Sequence, residues 1–392
     1  MRPWLLFVAA LLATSVEARG QEPREEPAWD WADATASRPH PEGPPMTDRE
    51  ADLQRHCGAF EGGLRSVAIL LVERKLRGLP YLDLDGLTFA QRTAGEPHVW
   101  PRAWIVSGRA LDHEATLKKL DAWRASFHDI GERRCGVATG FGQDGSEVVA
   151  AIALDALADI GAVPTRIRSG TWQSVAATLL VPATGAHVVV MGPSGEPQPV
   201  PTSFDGSHVR ARFGVDRPGS FTVQVVADVA TGPRPVLEAQ LFADVEPPHA
   251  TPRLAAPGEE AGARVADKAG ALSAMVEALR VSEKLRPLVR DARLDAVALA
   301  HARRMREAHT LGHDVGDGDP AERLANAGLR ARETGENVAH AQSIVLAHRA
   351  LYASVSHREN LLSPEFTHLG VGVLEDADGS VWVAQVFSTP LQ

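Results

Sequence analysis

Two stretches poor in aliphatic side chains, residues 21–50 and 246–268, cut the chain into blocks and so limit what it can fold into. The first is rich in Pro, Glu and Asp, the second in Pro, Gly, Ala and Glu. Segments of that kind cannot bury enough apolar surface to offset the entropy of ordering them, so both read as flexible linkers. Trp29 and Trp31 are the exceptions in the first, large enough to dock elsewhere. At 392 residues the chain is longer than one ordinary domain, and two or three cores are expected. A hydrophobic share of 44% and a charged share of 23% permit them. The net charge of -10, with no long Lys/Arg run, argues against a nucleic-acid partner and a polybasic membrane-surface role.

Residues 1–20 read as a secretory signal peptide. Arg2 supplies the positive start, Trp4 to Val16 is mostly apolar but too short to span a bilayer, and small residues near Ala18 and Gly20 offer cleavage sites. No later segment reads as transmembrane, so an exported protein, periplasmic or extracellular, is expected. Export makes a disulfide between the two cysteines, Cys57 and Cys135, chemically available. Two separately buried thiols are the other reading.

Residues 51–164 read as an α+β unit. Leu64, Val67, Ala68 and Leu71 recur at helical spacing, as do Leu117, Leu120 and Trp123, and a Leu/Asp-rich turn is expected at 81–86. Gly140, Gly142 and Gly145 match a dinucleotide fingerprint in form. A working fingerprint opens a helix whose N-terminus holds the pyrophosphate. Here Val148-Val149-Ala150-Ala151-Ile152 follows, a strand pattern, so a hairpin turn is expected. From 165 to 245, short β-rich runs alternate with Gly/Pro turns, the pattern of a small immunoglobulin-like β-sandwich.

Residues 269–392 form the last unit. Leu272, Met275, Val276 and Leu279 share one helical face, and Leu294, Val297, Ala298, His301 and Met305 another. His301 therefore points inward, as a core histidine with satisfied ring nitrogens or as a ligand. The loop from Asp314 to Asp319 lacks EF-hand spacing and reads as a solvated turn. Val338, Ala341, Val345, His348 and Tyr352 fit one helical face, which puts Glu336 at that helix's N-terminus, where the macrodipole favours a carboxylate. A hairpin around Asp376-Ala377-Asp378-Gly379 closes the chain.

These motifs in order carry a family resemblance: Ala300-His301-Ala302-Arg303-Arg304-Met305, His313, Asp319-Pro320-Ala321-Glu322-Arg323, Gly335-Glu336-Asn337-Val338, Ser356-His357-Arg358-Glu359-Asn360, Gly370-Val371-Gly372-Val373 and Val381-Trp382-Val383-Ala384-Gln385. Together they resemble the CAP superfamily of cysteine-rich secretory, antigen 5 and pathogenesis-related class 1 proteins, in its bacterial branch. The resemblance covers roughly the last 120 residues. It implies an α-β-α sandwich with a central antiparallel sheet and a cleft in which two His and two Glu can hold a divalent metal. His313, Glu336 and His357 match three of those positions, and the fourth falls near Ser354. Zinc is the implied candidate cofactor, on His313, His357 and Glu336, with Glu336 as the candidate catalytic base of a metal-dependent hydrolase. No Gly-x-Ser-x-Gly elbow and no Cys in this unit supplies a nucleophile.

The first unit repeats fragments of the last. Lys75-Leu76-Arg77-Gly78-Leu79 parallels Lys284-Leu285-Arg286-Pro287-Leu288, and Cys135-Gly136-Val137 parallels Leu369-Gly370-Val371. A degenerate CAP-like copy without the cleft residues is one reading; chance likeness of two small α+β units is the other. Three functions follow: a binding module for a lipid, glycan or protein through the CAP cleft, a metal-dependent hydrolase, or an inert cell-envelope protein. The first leads.

Overall fold

A computed structural model describes residues 31–35, 45–127, 130–230, 232–250 and 255–391. The expected signal peptide, residues 21–30 and 36–44 of the first expected linker, and residues 251–254 of the second lie outside these.

The first unit runs α1 (Asp48–Cys57), β1 (Ala59–Phe60), α2 (Gly62–Leu76), α3 (Leu84–Thr93), β2 (Arg102–Arg109), α4 (His113–Arg124), β3 (Glu132–Phe141) and β4 (Ser146–Ala156). Its sheet has the order β1-β3-β4-β2, with β1 parallel to β3 and the other pairs antiparallel. Strand alternation sends Val148, Ala150 and Ile152 towards Leu64, Val67 and Leu71 of α2. It sends Val149, Ala151 and Ala153 towards Leu53 and Leu120 of α1 and α4. A disulfide joins Cys57 at the end of α1 to Cys135 on β3, with Cα atoms 5.9 Å apart. The fingerprint-like glycines form the β3–β4 turn: Gly142 N–H donates to Ser146 O at 2.7 Å, and Gly145 has φ +76. The stretch expected as a turn at 81–86 instead starts α3, because Asp83 accepts from Gly86 N–H at 2.8 Å and caps it.

The middle unit is a sandwich of two sheets. One has the order β10-β11-β7-β5 and the other β6-β13-β12-β8-β9. The strands are β5 (Ala158–Ile160), β6 (Arg166–Ile167), β7 (Thr171–Leu179), β8 (Ala186–Met191), β9 (Gln198–Val200), β10 (Thr202–Phe204), β11 (His208–Val215), β12 (Gly219–Val229) and β13 (Gly232–Ala243). Val175, Val209, Phe213, Val223, Leu237 and Leu241 fill the space between them. Since β5 pairs with β7, the sandwich begins some residues before 165.

The last unit contains α5 (Glu259–Gly262), α6 (Lys268–Ser282), β14 (Val289–Arg290), α7 (Ala292–Ala308), α8 (Pro320–Asn326), β15 (Ala331–Ala341), α9 (Ile344–Ala353), α10 (Val355–Leu362), β16 (His368–Glu375) and β17 (Val381–Pro390). Its sheet, β14-β16-β17-β15, is mixed: β14 runs parallel to β16 and the remaining pairs are antiparallel. Trp382, Ala384 and Val386 face Leu294, Ala298 and Met305 of α7, while Val381, Val383 and Phe387 face α6, α9 and α10. The result is an α-β-α sandwich. At Gly370 a Cβ would lie 2.2 Å from the carbonyl carbon of Leu294, so only glycine lets α7 approach β16 this closely. Gly136 does the same for α2, where a Cβ would meet Arg65 N at 2.1 Å.

Both linker expectations are corrected where the chain is described. Trp31 is buried edge-on against Phe89 of the first unit and Phe242 of the sandwich, and its Nε1–H donates to Pro248 O at 2.8 Å. Low aliphatic content did not prevent ordering, because one indole supplies a large apolar area at low entropic cost. In the second stretch, Glu259 accepts two bonds from Arg349, and Pro257 O contacts His348 Nε2 at 2.9 Å, so this segment packs onto α9. Val189 and Met191 of the sandwich pack on Val355 of α10, and Arg358 donates to Gly192 O at 3.1 Å.

Candidate functional site

Three elements of the last unit converge beside α7. The loop after α7 carries His313, α8 carries Arg323, and the middle of β15 carries Glu336. Placing Glu336 within a strand corrects the expectation that it caps a helix. Glu336, Asn337, Val338 and Ala339 are all buried, since β15 is covered on both faces, and the period-2 signal is lost there. The helix starts only after Ser343, whose hydroxyl accepts from Leu346 N–H at 3.2 Å. His348 and Tyr352 lie on α9, but Val338 and Ala341 do not.

Glu336 is 5% exposed, and both its oxygens are engaged. Oε1 lies 3.0 Å from His313 Nδ1, and Oε2 accepts a hydrogen bond from the Arg323 guanidinium. The other terminal nitrogen of Arg323 donates to His313 O at 2.7 Å and to Gly318 O, pinning the loop that presents His313. The aim of Arg323 comes from the start of α8, where Asp319 and Glu322 form a reciprocal capping box with Pro320 in the first turn. His301 is fully buried: Nδ1 contacts Asp317 Oδ2 at 2.8 Å and Nε2 contacts Gly312 O at 3.0 Å. It is a core histidine with each ring nitrogen placed against an acceptor. Burial opposes ionisation of Asp317, but hydrogen bonding and charge from His301, with help from Arg323, hold its carboxyl below the usual range.

His357 lies on α10, and its backbone carbonyl accepts from Asn337 Nδ2 at 3.0 Å. Asn337 Nδ2 also donates to Gln385 Oε1 at 3.2 Å, and Asn360 Nδ2 donates to Asn337 Oδ1 at 2.9 Å and Glu336 O at 3.1 Å. This amide network ties β15 and β17 to α10 beneath the site. Burial, reinforced by charge on nearby His313, pushes the His357 imidazole down to about 4. The ring is therefore neutral at pH 7. An unfolded-chain histidine titrates near 6.5, so the unfolded state takes up the proton first, and stability falls as pH drops from about 6.5 to about 4. Ser354 occupies the break between α9 and α10 with an extended backbone and makes no side-chain cap.

The structure thus brings His313 and Glu336 into direct contact, sets His357 within electrostatic reach of His313, and leaves Ser354 at a helix junction. A zinc site needs carboxylate lone pairs and imidazole nitrogens free to converge. Here the Glu336 carboxylate is committed to Arg323 and His313. Among the described residues no group of three or more His, Cys, Asp or Glu side chains is disposed to hold an ion. As arranged, the donor set does not fit a metal, and no step is drawn through one. Sequence reasoning gave no role to Arg323, Asn337, Asn360 or Gln385. The Asp319–Glu322 capping signature could have located α8, and with it Arg323.

Residues 274–387 of this unit match the model of the cysteine-rich secretory protein family, CAP. An uncharacterized protein from Bacillus subtilis, YkwD, is 33% identical over 116 residues, which are 28% of this chain and 43% of that protein. The chain therefore spans under half the length of that relative. Among solved structures, an outer surface protein from Borrelia burgdorferi is 23% identical, with 31% of this chain and 90% of that chain covered at a TM-score of 0.30. An extracellular protein containing an SCP domain from Bacillus anthracis is 16% identical, with 60% and 86% covered at a TM-score of 0.29. No described helix is long and apolar enough to cross a membrane.

Proposed function

We propose that this is an exported CAP-domain binding module, whose cleft takes an uncharged hydroxyl- or amide-bearing group of a glycan, lipid or protein. One observation carries the reading: both Glu336 oxygens already have partners, His313 on one and Arg323 on the other, while His357 is held neutral. A neutral imidazole both donates and accepts, which suits hydroxyl and amide groups better than it suits ions. The His313 side chain, 54% exposed above the buried Glu336, offers the second imidazole at the mouth. The hydrolase reading would need Glu336 as a free base, and its engagement with Arg323 weighs against that. Export rests on the signal-like residues 1–20 and agrees with the disulfide. The test is binding of the labelled full chain to glycan and lipid arrays and to immobilised envelope proteins. His313→Ala combined with His357→Ala is expected to reduce cleft-dependent binding at least tenfold without loss of fold. Unchanged binding by a folded double variant would overturn the reading.

We also infer that the first unit is a CAP-type copy stripped of its site. Its eight elements follow the order of the last unit without α5 and α10, and its sheet has the same connectivity. This order pairs α2 with α7, so Cys135-Gly136-Val137 keeps its match with Leu369-Gly370-Val371, while the Lys75–Leu79 likeness to Lys284–Leu288 falls on different elements. Reading straight across the sheets, Phe60, Cys135, Ala153 and Arg102 occupy one row, as do Arg290, Leu369, Phe387 and Gly335. Ala103 then stands where Glu336 does, and, counting from the helix caps, Leu71 stands where His301 does. The copy keeps the packing and drops the polar cluster, as a structural arm would.

A further inference from the structure

Among the described residues nothing covers the outer face of the sandwich sheet β10-β11-β7-β5, and its composition is unusual. On β7 the outward side chains are Trp172, Ser174, Ala176 and Thr178; on β11 they are His208, Arg210, Arg212 and Gly214. The register sets Trp172 opposite Gly214, Ser174 opposite Arg212, and Ala176 opposite Arg210, with Ser203 of β10 beyond Arg210. Every large side chain therefore faces a small one, and the face is a shallow, smooth trough. Trp172 is 64% exposed, with the Arg212 guanidinium over its ring at 5.1 Å from the centroid. Neither Arg210 nor Arg212 forms an ion pair among the described residues. Asp159, at the β5 edge, is paired with Arg134 at 2.6 Å. Unlike the chain as a whole, this face is basic.

We propose that this face binds an anionic polysaccharide, with a sugar ring stacked on Trp172 and acidic groups of the chain held by Arg210 and Arg212. Two arginines at alternate positions of one strand stand about 7 Å apart, a spacing that engages successive acidic groups along an extended polymer. A planar guanidinium accepts a carboxylate in a bidentate fork, and an exposed indole presents a flat apolar surface to a sugar's C–H face. A protein partner fits less well. Protein interfaces are built round a desolvated apolar core, and here Trp172 stands among Ser174, Ala176, Thr178 and Gly214 with no apolar cluster around it among the described residues. Two arginines without a lysine-rich surround are too few for nucleic acid.

The test is affinity electrophoresis of the full chain through gels containing polygalacturonate, neutral dextran or poly-glutamate. Retardation is expected with polygalacturonate alone and is expected to weaken as salt is raised. Arg210→Ser with Arg212→Ser should lower apparent affinity at least tenfold, and Trp172→Ala several-fold at fixed salt, with circular dichroism unchanged because all three side chains are exposed. The cleft variant His313→Ala with His357→Ala should be retarded like the parent, which separates this surface from the CAP cleft. Equal retardation by poly-glutamate, indifference to Trp172→Ala, or no retardation by polygalacturonate would each overturn the proposal.

Discussion

Arg323→Ala is expected to destabilise the CAP domain by about 3–5 kcal/mol, the usual range when one partner of a buried ion pair is removed. Both partners are buried, with side-chain exposures of 7% for Arg323 and 1% for Glu336. Without the guanidinium, a charged Glu336 would be left in the interior beside two imidazoles, with His313 Nδ1 at 3.0 Å and His301 Nε2 at 3.6 Å. The loop carrying His313 would also lose its two anchors, at His313 O and Gly318 O. Urea unfolding combined with hydrogen exchange across β15 measures the effect. Adding Glu336→Gln should recover part of the loss, because it removes the uncompensated charge. A loss below about 1 kcal/mol would mean that the pair is solvated and does not organise the site.

Loss of the disulfide is the second large effect, and it should be confined to the first unit. Closing the loop between Cys57 and Cys135, a sequence separation of 78, contributes about 4 kcal/mol in the chain-entropy model. Cys57→Ser with Cys135→Ser, or reduction of the native chain, is expected to loosen α1 against β3 and lower the unfolding midpoint of that unit. Exchange protection in β15, β16 and β17 should stay as it was, because neither cysteine touches the CAP core. If reduction instead softened the first unit and the sandwich together, Trp31 and its contacts with Phe89 and Phe242 would be coupling those two tightly.

The parts of the fold legible in the sequence are those with local periodicity. Helical spacing marked α2, α4, α6 and α7, and strand–turn–strand patterns marked both terminal hairpins. What failed depended on contacts far apart in the chain. The β15 segment carries helical spacing rather than strand alternation, because Glu336–Ala339 is buried on both faces. Trp31 stands out in the sequence as large enough to dock, but its partners lie about sixty and two hundred residues away, so nothing local names them. The side-chain cluster around Glu336 was only partly legible in the sequence. Motif order located His313, Glu336 and His357, but nothing local indicates that Arg323 would take one Glu336 oxygen, or that Asn337, Asn360 and Gln385 would tie together beneath it.

The imidazole of His357 is the most direct reporter of whether the cluster of His313, Glu336 and His357 is a neutral binding site or a metal centre. Its titration can be followed by NMR in the full chain, assigned through His357→Ala, from pH 3 to pH 8 with and without added zinc. A midpoint near 4 that zinc leaves unchanged at micromolar concentration is predicted. A midpoint near 6.5, or a zinc-dependent shift that saturates at one equivalent and disappears in His313→Ala, would contradict the account.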